Sequence, residues 1–265
     1  MAQPMQVLRH NQVSAEGAQI AATYALGIPQ AEFGVRGTKK TVMSTIACGI
    51  AALMFGVIFF GLASSARDTS IALFIGLPFT VFFLACALYC GFYTQIYRSH
   101  HVYLCSEGFA HQHGQTIDAF RYDGIEAIWQ AVTRSYYNGV YTGTRHKYTI
   151  RRKDGAQTVL NDKFADVEEI YTVIKQKVTA ILLPQMMGAF QAGYKIPFGP
   201  LNVSLHGLDK GRELLPWQQI KAIKVEQGNL IIQEQGKIIS WLLTPVSRVA
   251  NLDILLHLLN SPRQR

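Results

Sequence analysis

Two long runs without a charged side chain, close together near the N-terminus, constrain this chain more than any other feature. They cover residues 41–66 and 69–97. A membrane-spanning helix needs about 20 consecutive apolar residues, and each run exceeds that length. We therefore predict two transmembrane helices, at about 41–63 and 71–95, which form a hairpin with a short turn between them.

Positive side chains next to the runs predict the orientation of this hairpin. Lys and Arg concentrate on the cytoplasmic side of membrane proteins. The basic flanks therefore predict a multi-pass protein of the inner or plasma membrane, with both termini in the cytoplasm. The flanking positive residues are Arg36, Lys39 and Lys40 before the first run and Arg98 after the second, whereas the turn offers only Arg67 beside Asp68.

Small residues recur every four positions in both runs and predict close packing of the two helices. The runs contain no Asp, Glu, Lys, Arg or His, which argues against a pump or a transporter. A small oligomeric channel subunit stays open as an alternative, and so does oligomerisation in general. The predicted helix–helix packing residues are Ser44, Cys48, Ala52, Gly56, Ala72, Gly76 and Thr80.

The remaining sequence differs in composition and is expected to be cytosolic. Residues 1–40 form a segment with a short helix at about 13–26, and residues 98–265 alternate short apolar stretches with turns. The formal net charge of +8 is not gathered into a dense basic stripe with aromatic readers, so we expect no nucleic-acid partner. The four cysteines lack the spacing of a disulfide scaffold.

Local patterns in the first part of the cytosolic region predict strands, a hairpin and a helix. Tyr148 and Ile150 alternate with polar residues, which indicates a half-buried strand. The pair Asn138-Gly139 favours a type I′ hairpin turn over a mobile recognition loop rich in Tyr and Gly. An amphipathic helix over 165–183 is expected to end at Pro184.

An internal repeat divides the cytosolic region into two modules. The segment that starts at Tyr122 matches the segment that starts at Trp217, and each contains two isoleucines at the same spacing. A turn glycine precedes each segment, Gly108 in the first module and Gly207 in the second. The modules span 98–187 and 188–265, and the shorter second module closes with a helix at about 247–259 that Ser247 caps.

The order of a helical hairpin, antiparallel strands and a closing helix resembles the pleckstrin-homology-like (PH-like) proteins of bacterial membranes. In that family a transmembrane hairpin precedes a cytosolic PH-like domain. The resemblance implies an α+β fold with a PH-like antiparallel β-barrel or sandwich and a C-terminal helix, partly duplicated. It also implies binding without catalysis. The residues that carry the resemblance are Gly108, Tyr122, Ile125, Ile128, Gly207, Trp217, Ile220 and Ile223.

Basic residues on one predicted strand, and at the turn after it, are the candidate binding residues. Alternate positions of a strand share one face, so several of these side chains point the same way. One interpretation is a solvated strand face. The other is contact with anionic lipid headgroups, where each basic residue is worth about 1 kcal/mol. The residues are Arg145, Lys147, Arg151, Arg152 and Lys153.

The sequence contains no HExxH, GxSxG, phosphate-loop or dinucleotide motif. His111 and His113 share a strand face but lack a second ligand pair, so we predict no metal site and no cofactor. We expect a membrane-anchored, non-enzymatic protein that presents a cytosolic PH-like binding or scaffolding surface. The lipid bilayer is the expected partner, and a protein partner or anionic lipid stays open. A lipid-handling protein or enzyme at the membrane interface is the alternative.

Overall fold

The computed structural model describes residues 13–36, 38–65, 77–164 and 166–260. The helices in these residues are α1 (Ala15–Thr23), α2 (Thr38–Ser65), α3 (Leu77–Arg98), α4 (Val167–Gln191) and α5 (Leu252–Asn260). The strands are β1 (Pro29–Gly34), β2 (His100–Cys105), β3 (Gly108–His113), β4 (Thr116–Arg121), β5 (Ile125–Tyr137), β6 (Val140–Arg152), β7 (Gln157–Asn161), β8 (Ile196–Pro197), β9 (Asn202–Ser204), β10 (Gly207–Lys210), β11 (Glu213–Pro216), β12 (Ile220–Glu226), β13 (Asn229–Glu234) and β14 (Leu242–Pro245).

Contacts divide the chain into two compact units. Unit 1 combines Met1–Phe33, Val102–His111 and Asp118–Arg265, and unit 2 combines Gly34–His101 and Gln112–Ile117. Most of the strands, together with α4 and α5, therefore belong to unit 1, and the helices α2 and α3 belong to unit 2.

The strands form four sheets in which hydrogen-bonded neighbours follow each other in the chain. Their orders are β1-β2-β3-β4, β5-β6-β7, β8-β9-β10-β11 and β12-β13-β14. Pairing in the last three of these sheets is antiparallel. A four-stranded sheet, a 3-10 turn, a three-stranded sheet and a helix thus occur twice. We call β1–β7 with α4 the first set and β8–β14 with α5 the second set.

The 3-10 turns fall on the two segments that match in the sequence. Tyr122–Gly124 forms the turn of the first set and Trp217–Gln219 that of the second. In each set the following isoleucine, Ile125 or Ile220, is buried and begins the next strand. The aromatic residue therefore marks the place where the chain leaves one sheet and enters the next.

None of the sheets in the described part of the chain closes into a barrel, so the predicted PH-like barrel is wrong, and so is the resemblance on which it was based. The fold is mixed α+β with separate antiparallel sheets. A closed barrel has no strand edges, whereas β5 and β7 lie at the two ends of their sheet order. The 3-10 turn at Tyr122–Gly124 breaks the chain between β4 and β5, so neither strand continues the other.

Aromatic and β-branched side chains fill the core of the first set. The rings of Phe109 and Phe120 stack with centroids 5.1 Å apart, and both are buried. Ile150 of β6 is fully buried, as are Ile170 and Ile174 of α4. Burying one such side chain stabilises the fold by about 1.5–3 kcal/mol relative to leaving it in water. This packing explains why α4 covers its sheet.

Two helix boundaries differ from those predicted. The helix α4 continues past Pro184 to Gln191, because the buried side chains of Leu182 and Phe190 lie on both sides of the proline. The C-terminal helix α5 begins at Leu252, well after the predicted cap. A 3-10 turn occupies Val246–Arg248, and Asn251 has a φ of +49°, which no helical residue adopts.

The helices of unit 2 pack against each other through small and aromatic residues. A side-chain carbon added at Gly56 would lie 3.9 Å from the Thr80 methyl group, which is ordinary contact. The ring of Phe55 stacks on those of Phe79 and Phe83, with centroids 5.9 and 5.4 Å apart. Of the predicted packing residues, Ser44, Cys48, Ala52, Gly56 and Thr80 lie on α2 or α3, whereas Ala72 and Gly76 lie outside the described residues.

Among the residues that the structure describes, no helix has both the length and the hydropathy to cross a membrane. The predicted spans at about 41–63 and 71–95 are corrected accordingly, as are the multi-pass location and the cytoplasmic placement of both termini.

The two repeated glycines allow neighbouring strands to approach closely. A side-chain carbon at Gly108 would meet the carbonyl oxygen of Phe120, and one at Gly207 would meet that of Leu215. Each glycine begins a strand, and each carbonyl belongs to the strand that follows it. The repeat of the two glycines in the sequence therefore reflects the same steric requirement in both sets.

We expect Gly108→Ala to lower the free energy of unfolding by about 1–3 kcal/mol, because the new methyl group overlaps a backbone oxygen that cannot move freely. Urea denaturation followed by circular dichroism measures this change. The control is Gly124→Ala, where the added carbon would lie 3.8 Å from Arg152 Cγ. A loss in the control as large as that in Gly108→Ala would contradict the steric explanation.

Candidate functional site

The hairpin of β5 and β6 extends beyond the third strand of its sheet. Pairing between β6 and β7 ends at Lys147 and Asn161, whereas pairing between β5 and β6 continues to Tyr137 and Val140. Residues 132–146 therefore form a two-stranded extension, which we call the ribbon. Asn138 and Gly139 have φ values of +49° and +79°. Positive values at both positions confirm the predicted type I′ turn.

Large apolar side chains at the tip of the ribbon are open to solvent. Tyr137 and Val140 are 73% and 68% exposed. The rings of Tyr136 and Tyr141, which are paired across the two strands, meet edge to face with centroids 5.9 Å apart. A local cluster of exposed aromatic and apolar side chains is typical of interaction surfaces, since tyrosine rings are large, rigid and amphipathic.

The ribbon, together with Lys147 next to its base, is also positively charged. No acidic residue lies between Glu126 and Asp154 in the sequence. The side chains of Arg134, Arg145 and Lys147 are exposed, and none has an ion-pair partner among the described residues. The pairs Thr133–Arg145 and Ala131–Lys147 place two of these cations on one face, and Arg134 lies on the other.

The other predicted basic residues are engaged in local contacts. The Arg151 guanidinium donates two hydrogen bonds to Glu126, at 3.0 and 3.1 Å, and lies 4.9 Å from the centre of the Trp129 ring. Lys153 donates from Nζ to the Asp123 carbonyl oxygen at 2.9 Å. Of the five predicted residues, Arg145 and Lys147 make no side-chain hydrogen bond or ion pair within the described part of the chain.

Arg152 pairs with Asp154 two residues later and also donates to the Ala119 carbonyl oxygen at 2.7 Å. The guanidinium, followed by the Ala156 amide, lowers the pKa of the Asp154 carboxyl to about 2. Arg152 is therefore part of the turn between β6 and β7, where it stabilises the negative charge of its neighbour.

His146 connects the base of the ribbon to the start of α4. Its Nδ1 lies 2.8 Å from Asp162 Oδ1, and its Nε2 lies 2.6 Å from Glu168 Oε1. The same aspartate accepts the His146 backbone N–H at 2.7 Å, just beyond the end of the β6–β7 pairing. Carboxylates thus occupy both ring nitrogens and hold the histidine in place.

Two stacked tyrosines lie next to His146, between the base of the ribbon and the core. The rings of Tyr148 and Tyr171 lie parallel with centroids 3.8 Å apart, and the Tyr171 hydroxyl donates to Gln130 Oε1 at 3.2 Å. Burial, aided by the nearby charges of Glu168 and Asp162, raises the pKa of Tyr148 to about 12. Both phenols are therefore neutral packing groups at physiological pH, and they keep β5, β6 and α4 together below the ribbon.

Two side chains of unit 1 with metal-ligating atom types lie close to each other. His111 and Asp118 hold ligand atoms within 4.8 Å of each other. However, the His111 ring already has Nδ1 at 2.6 Å from the Thr158 hydroxyl.

Arg134 was not among the predicted site residues, although the sequence contains a signal for it. It is the single charged residue between Glu126 and Arg145. A charged residue in the middle of a strand rich in apolar and hydroxyl side chains indicates that this part of the strand is exposed. The next basic residue in the sequence is Arg145, so a search for clusters of basic residues does not identify Arg134.

We expect the Asp154 carboxyl to titrate at about pH 2 in the folded chain, well below the usual value of about 3.9. Since folding lowers this pKa, the stabilising effect of the carboxylate is complete above the unfolded value and is lost as the pH falls towards 2. Carbon-detected NMR titration measures the midpoint. Arg152→Gln should raise it, and Arg145→Gln should not; a wild-type midpoint near 4 would show that the ion pair is not formed.

Comparison with known proteins places the chain in a family but does not assign a function. No curated protein and no solved structure matches it. The match over residues 1–265 is to a family described as "Family of unknown function (DUF6585)". This match replaces the PH-like resemblance derived from the sequence. Because it covers the full sequence, the chain belongs to this family of unknown function, DUF6585.

Proposed function

We propose that the chain is a non-enzymatic binding protein that docks an acidic region of a protein partner on its β5–β6 ribbon. The observation that carries this proposal is the projection of residues 132–146 beyond β7, with tyrosines and unpaired cations in the same extension. Such an element buries little of its own apolar surface within the described part of the chain. It is therefore suited to contact another molecule.

The chemistry of the ribbon favours an acidic protein surface. Tyr and Arg are enriched in protein interfaces, where a ring supplies contact area and a guanidinium supplies directed hydrogen bonds. Arg145 and Lys147 on one face, and Arg134 on the other, offer positive charge without a competing internal carboxylate. Opposite charges on a partner would accelerate encounter and select against basic proteins.

The geometry around His146 supports binding more than catalysis. A catalytic histidine must exchange a proton with a substrate through one of its ring nitrogens. Here Nδ1 and Nε2 both lie within hydrogen-bond distance of carboxylates, those of Asp162 and Glu168. His146, Asp162 and Glu168 therefore hold the base of the ribbon against the start of α4. Anionic lipid headgroups share the negative charge of an acidic protein, and they become an outcome of the test below.

The charge of the ribbon is tested with a fluorescein-labelled peptide of alternating glutamate and valine and the purified full-length chain. We expect binding, measured by fluorescence anisotropy, to weaken with added salt and to fall about tenfold in Arg145→Glu/Lys147→Glu. Arg212→Glu/Lys221→Glu is the matched control, since both residues are exposed and lie outside the ribbon. Equal losses in the two double variants, or no peptide binding, would refute the proposal. Preferential binding to phosphatidylserine vesicles would instead assign the surface to lipid.

The aromatic tip is tested separately with the same peptide. Truncation of an exposed anchor typically costs more than 1 kcal/mol of binding free energy, so we expect Tyr137→Ser to weaken binding about tenfold. Tyr194→Ser is the control, because Tyr194 is 68% exposed but lies after α4. If both serine variants bind like the wild type, the tip does not take part in docking.

A further inference from the structure

Asn251 covers the first part of the outer edge of β5. The backbone N–H of Asn251 donates to the Ile128 carbonyl oxygen at 2.9 Å. The Asn251 side-chain oxygen accepts the Ile128 N–H at 3.0 Å, and its amide nitrogen donates to the Glu126 carbonyl oxygen at 3.0 Å. Asn251 thus supplies hydrogen bonds to this part of β5 that a neighbouring strand would otherwise make.

These contacts establish which backbone groups of β5 point outwards. Both polar backbone groups of Ile128 face Asn251, away from the partner strand β6. In an antiparallel pair this orientation recurs at every second residue. Gln130, Val132 and Arg134 therefore also direct their N–H and C=O groups away from β6. Within the described residues, no backbone group pairs with these three from that side.

A groove of about 900 Å³ runs along this open edge. Its β5 wall includes consecutive residues from Gln130 to Arg134, which alternate between the two faces of the strand. The groove therefore follows the strand edge and not one face. The second set supplies the opposite wall, with Val225, Gly228, Pro245 and Val246.

The lining of the groove indicates what it would accept. Val132 and Val225 are 51% and 44% exposed and offer apolar contact from both walls. Arg134 is the single charged residue among those that line the groove, and it has no ion-pair partner in the described part of the chain. An extended segment with acidic and apolar side chains matches both the charge and the apolar contacts.

We propose that this groove binds an extended acidic segment of a partner protein by strand addition to β5 at Gln130, Val132 and Arg134. This inference rests on the proposed function and specifies how the partner is held. Backbone hydrogen bonds to the open edge supply affinity, and alternate side chains supply specificity. A second copy of the chain is a poorer occupant, because pairing two β5 edges places two basic ribbons side by side.

The decisive probe is the labelled glutamate–valine peptide with N-methyl groups on alternate residues. Methylation removes the donors that a strand needs but keeps charge and side chains. Two such peptides are compared, one methylated at the odd positions and the other at the even positions. The peptide whose methyl groups point away from β5 should bind like the unmodified peptide. The other peptide should bind about a hundredfold more weakly, because up to three backbone hydrogen bonds to β5 are lost. Equal affinities in all three peptides would overturn strand addition while leaving the proposed function intact. No binding of the unmodified peptide would overturn both.

Val132→Pro tests the same inference from the side of the protein. Proline at an exposed strand edge removes one outward N–H while the bonds between β5 and β6 remain. We expect peptide binding about tenfold weaker than in Val132→Ala, the matched control for the lost side chain. Equal binding by the two variants, with unchanged circular dichroism, would overturn the inference. Sedimentation equilibrium adds one more outcome: a dimer that the peptide does not dissociate would overturn the partner segment as occupant.

Discussion

The contact between Asn251 and the backbone of β5 determines how unit 1 is arranged around its candidate site. It joins residues 123 positions apart in the chain and provides partners for both polar backbone groups of Ile128. A buried backbone group without a partner costs about 1–3 kcal/mol, so this contact removes a substantial penalty. Asparagine suits the position because it tolerates the φ of +49° and its amide resembles a peptide group.

The same contact brings the second set against the edge of β5 and so creates the groove. A neighbouring ion pair supports this arrangement. Lys175 of α4 pairs with Asp253 of α5 at 2.9 Å. Because Asn251 satisfies only the first part of the strand edge, the remainder stays available. The site is therefore a consequence of how the two sets are joined.

The two sets share an order of elements but differ in the lengths of their central strands. In the first set β5 and β6 each contain 13 residues, whereas β12 and β13 of the second set contain 7 and 6. The extra length produces the ribbon. The second set lacks such an extension among its described residues and provides the opposite wall of the groove. A duplicated architecture thus yields two different roles through a change in strand length.

Several parts of the fold could be predicted because they depend on a few neighbouring residues. Asn138-Gly139 adopts the type I′ turn since both residues tolerate positive φ. The alternation around Tyr148 gives alternating burial in β6. In contrast, the amphipathic pattern of α4 predicted a helix but not its end, because packing of Leu182 and Phe190 outweighs the local cost of Pro184.

The candidate binding surface was only partly predictable from the sequence. Arg145 and Lys147 were found from their spacing, but spacing could not show that Arg151, Arg152 and Lys153 have local partners. The apolar runs indicated helices, and the structure has the helices α2 and α3 there, yet the predicted membrane spans are not supported. The composition of a segment does not specify which residues it contacts in the folded chain.

The sequence by itself determined the turns, the strand alternation and the repeated glycines, because these are imposed by backbone sterics and by neighbouring side chains. The tertiary structure decided that the sheets stay separate, that Asn251 covers part of β5 and that Arg134 lines a groove. These features depend on contacts between distant residues, whose free energies are set by packing and by the satisfaction of buried polar groups. Local patterns therefore identified the elements, and long-range hydrogen bonds determined which strand edge stayed open.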